Sequence, residues 1–144
     1  MLSNTSKYAV RAVIYLGLKA GKRQMVGIKQ ISADLDIPAP FLSKILQSLA
    51  KQKLLSSNKG PNGGFTLGKD PEKISILDIL KAMDGLDAFK KCIIGTKYCN
   101  EQTIPCVLHS YYSGLRDEMK NKFEEVTIGK LIREIQLGNH DLNL

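Results

Sequence analysis

Residues 38–67, PAPFLSKILQSLAKQKLLSSNKGPNGGFTL, decide how this chain folds. Pro38 and Pro40 bracket a turn, because proline suits a helix's first turn and breaks its interior. From about Pro40 to Gln52 the residues Phe41, Leu42, Ile45, Leu46 and Leu49 recur at helical spacing, which predicts a helix that buries all five. Its other face carries Ser43, Lys44, Gln47, Ser48 and Lys51. Residues 54–58 and 64–67 then read as two short strands around the turn Lys59-Gly60-Pro61-Asn62-Gly63. A polar, basic helix face followed at once by a glycine-tipped hairpin is the pattern of a recognition helix and its wing.

Upstream, Ser3 to Ser6 offer capping side chains. Tyr8, Ala9, Ala12, Val13, Tyr15 and Leu16 then predict a first helix ending at Gly21. Ile28, Ile31 and Leu35 share one face of a second helix, and the tight turn to the third completes a helix-turn-helix. Charge follows the same division. Residues 1–59 hold ten Lys/Arg against two acids, whereas residues 60–144 hold eleven against twelve. A basic first half suits a polyanion.

Downstream, Ser75 and Asp78 form a capping box before Ile76, Leu77, Ile79, Leu80 and Met83, and Gly85 ends that helix. Residues 86–104 show no periodicity. From about Pro105 a long helix is expected, with Leu108, Tyr112, Leu115, Met119 and Val126 near a heptad seam and Tyr111 and Phe123 flanking it. Run to Val126, it would span roughly 33 Å, too long for so small a domain to cover, which predicts the same helix of a second subunit as its partner. Thr127 caps a last helix to about Leu137. The fold class is mainly α with a small β-wing: a winged helix-turn-helix over residues 1–71, then a cysteine-bearing sensor loop and dimerisation helices over 72–144.

The three cysteines of the chain, Cys92, Cys99 and Cys106, fall within fifteen residues, and His109 follows three positions later. Soft donors this close suggest a metal or iron–sulfur site. Structural zinc is the rival, although zinc sites usually keep one cysteine pair two to four residues apart, and none is present here. No apolar run approaches a membrane span, and Lys7, Arg11 and Lys19 interrupt any leader-like segment, so a cytoplasmic protein without membrane contact is expected. No phosphate-binding loop or nucleophile–base pair suggests an enzyme.

These stretches together resemble the Rrf2 family of winged-helix transcription regulators, in particular its iron–sulfur members of the IscR and NsrR type. The resemblance rests on Ser6-Lys7-Tyr8-Ala9-Val10-Arg11-Ala12, on Phe41-Leu42-Ser43-Lys44-Ile45-Leu46, on the wing from Lys59 to Gly68, and on the Cys92, Cys99, Cys106, His109 series. It implies a homodimer with crossing long helices, each subunit presenting a recognition helix and a wing to one half-site. It also implies a cluster held by three thiolates and the His109 imidazole, a two-iron cluster being expected over a four-iron one and liable to loss in air. Three departures stand out. Both cysteine gaps hold six residues where the family's best-known spacing has five, Tyr8 stands where some members carry an acidic ligand, and Ser43 replaces an acid found in some.

For DNA, Ser43, Lys44 and Gln47 are the expected base readers, with Pro40 shaping their approach, since Gln pairs with adenine and Lys with guanine in the major groove. Ser6, Lys7, Lys51, Ser57, Asn58 and Lys59 suit phosphate contacts. Asn62 and Gly63, at the wing tip, are expected at the minor groove. A dimer implies a roughly palindromic operator with half-sites about 34 Å apart or a multiple of that. Two alternatives stay open at this level. One is a winged-helix regulator without a cluster that answers a thiol or small-molecule signal. The other is a zinc- or cluster-carrying redox or interaction protein that does not bind DNA.

Overall fold

The structure, a computed structural model, describes residues 2–19, 24–94, 105–138 and 140–142. Helix α1 (Asn4–Lys19) begins where Ser3 Oγ accepts the Ser6 amide at 3.0 Å, an N-cap that satisfies one of the helix's unpaired donors. Its Ala9, Ala12, Val13 and Leu16 are fully buried. Gly21, expected to end this helix, lies outside the described residues.

Helices α2 (Ile28–Leu35) and α3 (Ala39–Lys51) form the helix-turn-helix. Between them Asp36 adopts the left-handed conformation, φ 52°, with its amide on the Ser32 carbonyl, a geometry Asp tolerates better than most residues. Ser32 Oγ donates to the Ile37 carbonyl at 2.6 Å, and Ile37 is buried. Leu42, Ile45, Leu46 and Leu49 fill the core as expected, but Phe41 does not: it is 38% exposed, and its ring meets Tyr8 edge-on at 5.7 Å. Phe41 lies about 100° round the helix from Leu42, at the rim of the apolar face rather than its centre.

Strands β1 (Leu55–Asn58) and β2 (Gly64–Leu67) pair antiparallel, Leu55 opposite Leu67 and Asn58 opposite Gly64. Val26 adds a third rung, exchanging both backbone hydrogen bonds with Phe65 at 2.9 Å. Gly64 makes this crossing possible. A Cβ there would lie 2.3 Å from the Val26 carbonyl oxygen, and its φ of +150° is one that side-chain-bearing residues rarely adopt.

A 3₁₀ turn, Pro71–Lys73, leads into α4 (Ile76–Asp84), whose Ser75–Asp78 capping box is complete at 3.0 and 3.1 Å. Gly85 ends it with φ 70°. Helices α5 (His109–Glu125) and α6 (Ile128–Gln136) follow. The Ile76 amide donates to Val126 at 3.0 Å and the Ile128 amide to Ile74 at 2.8 Å, so the starts of α4 and α6 lie side by side. Thr127 caps α6 by accepting the Lys130 amide at 3.2 Å. Ile128 and Ile132 join the same core as α1, and a Cβ on Gly17 would stand 2.3 Å from Ile132 Cδ1. Glu72 pairs with Arg133 and accepts from Thr127 Oγ1 at 3.4 Å, tying the segment after the wing to α6.

Helix α5 is shorter than the sequence suggests. It starts at His109, not near Pro105, and its 17 residues span about 26 Å. Residues 107–108 form a turn first, with the His109 amide on the Cys106 carbonyl at 2.9 Å. The expected seam also divides. Met119 and Val126 pack against the subunit's own core and Tyr112 is half-buried, whereas Leu108 and Leu115 are 37% and 65% exposed beside Tyr111 at 77%. The apolar band of α5 is wider than one seam, and the subunit itself covers one flank of it.

Candidate nucleic-acid interface and sensor segment

On α3, Pro40, Lys44, Gln47 and Lys51 are exposed and Ser43 is half-buried. Spaced by three and four residues, they make one continuous face. Gln47 Nε2 donates to Ser43 Oγ at 3.1 Å, so two of the expected readers hold each other in place. Pro40 lies in the first turn of α3, with Pro38 as the capping residue. The wing projects Ser57, Asn58, Lys59 and Asn62 into solvent. Gly63 serves the hairpin itself: a Cβ there would lie 2.3 Å from the Asn58 carbonyl oxygen, and its amide closes the tip onto Gly60 at 2.9 Å.

Lys7 is exposed, but Ser6 corrects an expectation. Ser6 has no exposed surface, and its hydroxyl donates to Asp84 Oδ2 at 2.7 Å. It cannot reach a phosphate. Ser3 donates to the same oxygen at 2.6 Å, so the two serines join the start of α1 to the end of α4. Ser48 adds a link from α3 to α4, its hydroxyl 3.5 Å from the Ala82 carbonyl. These joints were missed because a serine near a basic, N-terminal segment reads equally as a phosphate ligand or as an internal donor.

The helix-turn-helix is braced from below. Tyr15 donates to Asp34 Oδ2 at 2.6 Å, Gln30 donates to Oδ1 at 2.9 Å, and Arg11 Nη2 donates to the Leu35 carbonyl at 3.1 Å. The hydrogen bonds from Tyr15 and Gln30 hold the Asp34 carboxyl below its usual range. Burial, then the neighbouring Asp34 charge and hydrogen bond, pushes the Tyr15 hydroxyl up to about 12.

Among the described residues two cysteines meet. Cys92 Sγ and Cys106 Sγ lie 3.0 Å apart, both half-buried. Each is anchored in its own segment. Phe89, three residues before Cys92, is buried edge-on against Phe123 of α5 with ring centres 6.2 Å apart, and Lys91 pairs with Asp87 at 3.1 Å. Cys106 directly precedes the turn into α5, with His109 one turn on. Cys99 lies outside the described residues. Among the described residues no three His, Cys, Asp or Glu side chains gather as a metal-binding group. The donor chemistry nonetheless fits a soft metal or cluster, because two sulfurs converge and an imidazole begins the adjoining helix. The sequence reading missed Arg116, a guanidinium 9% exposed on the inner side of α5, with Nε on Asp117 at 3.1 Å and Nη1 without a hydrogen-bond partner among the described residues.

Beside the thiols, Ile93, Ile94 and Val107 are 55%, 64% and 81% exposed, and Leu108, Tyr111 and Leu115 continue that apolar surface along α5. No helix among the described residues is long and apolar enough to cross a membrane.

Comparison with known proteins matches residues 2–134 to the Rrf2 family, described as iron-dependent transcriptional regulators. An HTH-type transcriptional regulator of Aquifex aeolicus is 34% identical over 92% of this chain and 91% of its own. The transcriptional regulator IscR of Escherichia coli is 28% identical over 91% of this chain and 79% of its own. Among solved structures, CymR, the global cysteine regulator of B. subtilis, superposes with a TM-score of 0.75 at 22% identity, covering 98% of both chains. IscR of T. potens gives a TM-score of 0.75 at 19% identity over 98% of this chain and 92% of its own. At those identities the two structures speak for the fold.

Proposed function

Because the chain belongs to the Rrf2 family of transcriptional regulators, which are not enzymes, we propose that it is a homodimeric repressor whose grip on DNA is set by an iron–sulfur cluster. One observation carries the DNA side: a face of exposed Pro40, Lys44, Gln47 and Lys51, with half-buried Ser43 among them, on the second helix of a helix-turn-helix, with the wing beside it. Ser43, Lys44 and Gln47 read bases, and Lys7, Lys51, Ser57, Asn58 and Lys59 meet phosphates. Asn62 and Gly63 approach the minor groove. The operator is roughly palindromic, as a two-fold dimer requires.

Cys92, Cys99, Cys106 and His109 would hold the cluster, of the two-iron type, and it would supply sensitivity to oxidants, nitric oxide or iron supply. The chain's own joints couple that segment to the reading head. Cys92 follows α4 in the chain, its segment held against α5 by the Phe89–Phe123 contact, and α4 is bonded to α1 through Asp84, with Ser48 of α3 beside it at Ala82. A shift of the thiol-bearing segments would therefore move α4 against both helices. Leu108, Tyr111 and Leu115 meet their counterparts in the second subunit, with Tyr112 at the edge of that contact. Residues 1–71 act as the reader, residues 72–144 as sensor and dimerisation region, and the working compartment is the cytoplasm.

The test is an absorption spectrum of protein purified without oxygen, with iron and acid-labile sulfide counted per subunit. Selection of bound duplexes from a random pool, with holo and cluster-free protein, accompanies it. Absorption between about 320 and 450 nm with matching iron and sulfide, lost in Cys106→Ala, supports the cluster. Colourless protein after anaerobic reconstitution refutes it, and failure to enrich any palindrome refutes the operator reading.

A further inference from the structure

We infer that Ser43 is a positioning residue for Gln47, and that Gln47 so held selects adenine at one base pair of each half-site. The inference rests on the reading face proposed above and narrows it, because the share of base reading given to Ser43 is exercised through Gln47. Gln47 Nε2 donates to Ser43 Oγ at 3.1 Å. Ser43 is half-buried and Gln47 is exposed. The serine is thus the anchored member of the pair, and the glutamine is the one that reaches out.

Position along the helix gives the bond its consequence. In a helix-turn-helix the N-terminal residues of the recognition helix meet the base edges. Helix α3 begins at Ala39, which makes Ser43 its fifth residue and Gln47 its ninth. Gln47 is therefore rooted about two turns into the helix, roughly 6 Å along the axis beyond Ser43. Long helical side chains already lean toward the N-terminus, and the bond to Ser43 holds the amide of Gln47 in that direction, toward the end that enters the groove. Released from Ser43, the same side chain would sweep over neighbouring base edges and phosphates.

The bond occupies one of the two amide N–H groups of Gln47. Oε1 and the second N–H remain for DNA, an acceptor beside a donor. That pair matches adenine, which donates from N6 and accepts at N7 in the major groove. It does not match guanine, whose N7 and O6 both accept. A good bidentate pair discriminates about 5- to 150-fold against a wrong base. Immobilising a long side chain only at the moment of binding takes back about 2- to 10-fold of such a gain, and this is the share that Ser43 secures.

The experiment selects bound duplexes from a random pool at one salt concentration. It uses the full chain, its Ser43→Ala, Ser43→Thr and Gln47→Ala variants, and the double variant of Ser43→Ala with Gln47→Ala. Alanine is the best helix former, and circular dichroism checks that α3 is kept. Gln47→Ala should lose the adenine preference at one base pair of the half-site. Ser43→Ala should lower the preference at that same pair about 2- to 10-fold, whereas Ser43→Thr, which keeps the hydroxyl, should retain it. The double variant should lose no more there than Gln47→Ala alone, as expected of two residues acting as one. A serine that only supported the fold would weaken all sequences alike. Loss at a different base pair in Ser43→Ala, or unchanged preference at every pair, overturns the positioning role. A selective parent matched by an equally selective Gln47→Ala overturns the adenine assignment. Parent protein that enriches no sequence at all refutes the DNA reading itself, and the inference falls with it.

Discussion

Replacing Leu115 by alanine should split the proposed dimer without unfolding the subunit. Leu115 is 65% exposed on α5 and continues the line of Leu108 and Tyr111. Burying a whole leucine side chain is worth about 1.5–3 kcal/mol, so covering its exposed two-thirds contributes about 1–2 kcal/mol per subunit. A two-fold interface contains the residue twice, which makes the loss about 2–4 kcal/mol and the rise in dimer dissociation constant roughly 30- to 1,000-fold. The isolated subunit has little burial to lose there, and leucine and alanine are both good helix formers, so its own stability should change by less than about 0.5 kcal/mol. Sedimentation velocity across a dilution series reads the first quantity, and urea unfolding of monomeric protein at low concentration reads the second. Glu124→Ala, exposed on a different side of the same helix, serves as the control and should do neither. A Leu115→Ala protein that dimerises as tightly as the parent would refute the assignment of this stripe to the interface.

Three further outcomes follow from named contacts. Ser6→Ala removes a buried donor to Asp84 and should cost about 1–3 kcal/mol in urea unfolding while leaving the affinity of the folded protein for duplex DNA unchanged. Selective loss of DNA affinity at unchanged stability would restore Ser6 to the phosphate contacts. Lys59→Ala at the base of the wing tip should weaken binding to all duplexes alike and lower the slope of log affinity against log salt by about 0.9. Loss confined to one operator sequence would make Lys59 a base reader instead. The Tyr15–Asp34 bond predicts two pH arms. The Tyr15 pKa is raised to about 12, so its contribution is whole below the ordinary tyrosine value near 10 and is lost as pH climbs from there through about 12. The Asp34 pKa is lowered, so its contribution is present above the ordinary aspartate range and is lost as pH falls below it. Tyr15→Phe should flatten both arms in urea midpoints compared with the parent, and parallel pH profiles would discard the coupling.

The reading head was open to inspection in the sequence because its signals are local. Two prolines, a helical apolar period and a glycine-rich turn each act within a few residues, and so do the Ser75–Asp78 box and the Thr127 cap, both formed as expected. Gly85 ends α4 for the same reason, since a positive φ is a property of one residue and its neighbours. The crowding of Cys92, Cys99, Cys106 and His109 is likewise visible in the bare string.

What the chain order could not decide were relations between distant segments. Period alone marks the apolar band of α5 but not which flank another element of the same subunit covers. Met119 and Val126 face inward and Leu115 outward because the start of α4 and the Phe89 turn occupy the inner side of α5. Ser6 turned from a surface candidate into an internal joint because Asp84, 78 residues away, reaches it. The meeting of Cys92 with Cys106 is of the same kind. Spacing of fourteen residues permits many separations, whereas in the folded chain, with both flanking segments held on α5, the sulfurs stand 3.0 Å apart. Residue type and period are short-range properties that a sequence states outright, whereas burial and pairing across long gaps depend on which surfaces compete for the same space.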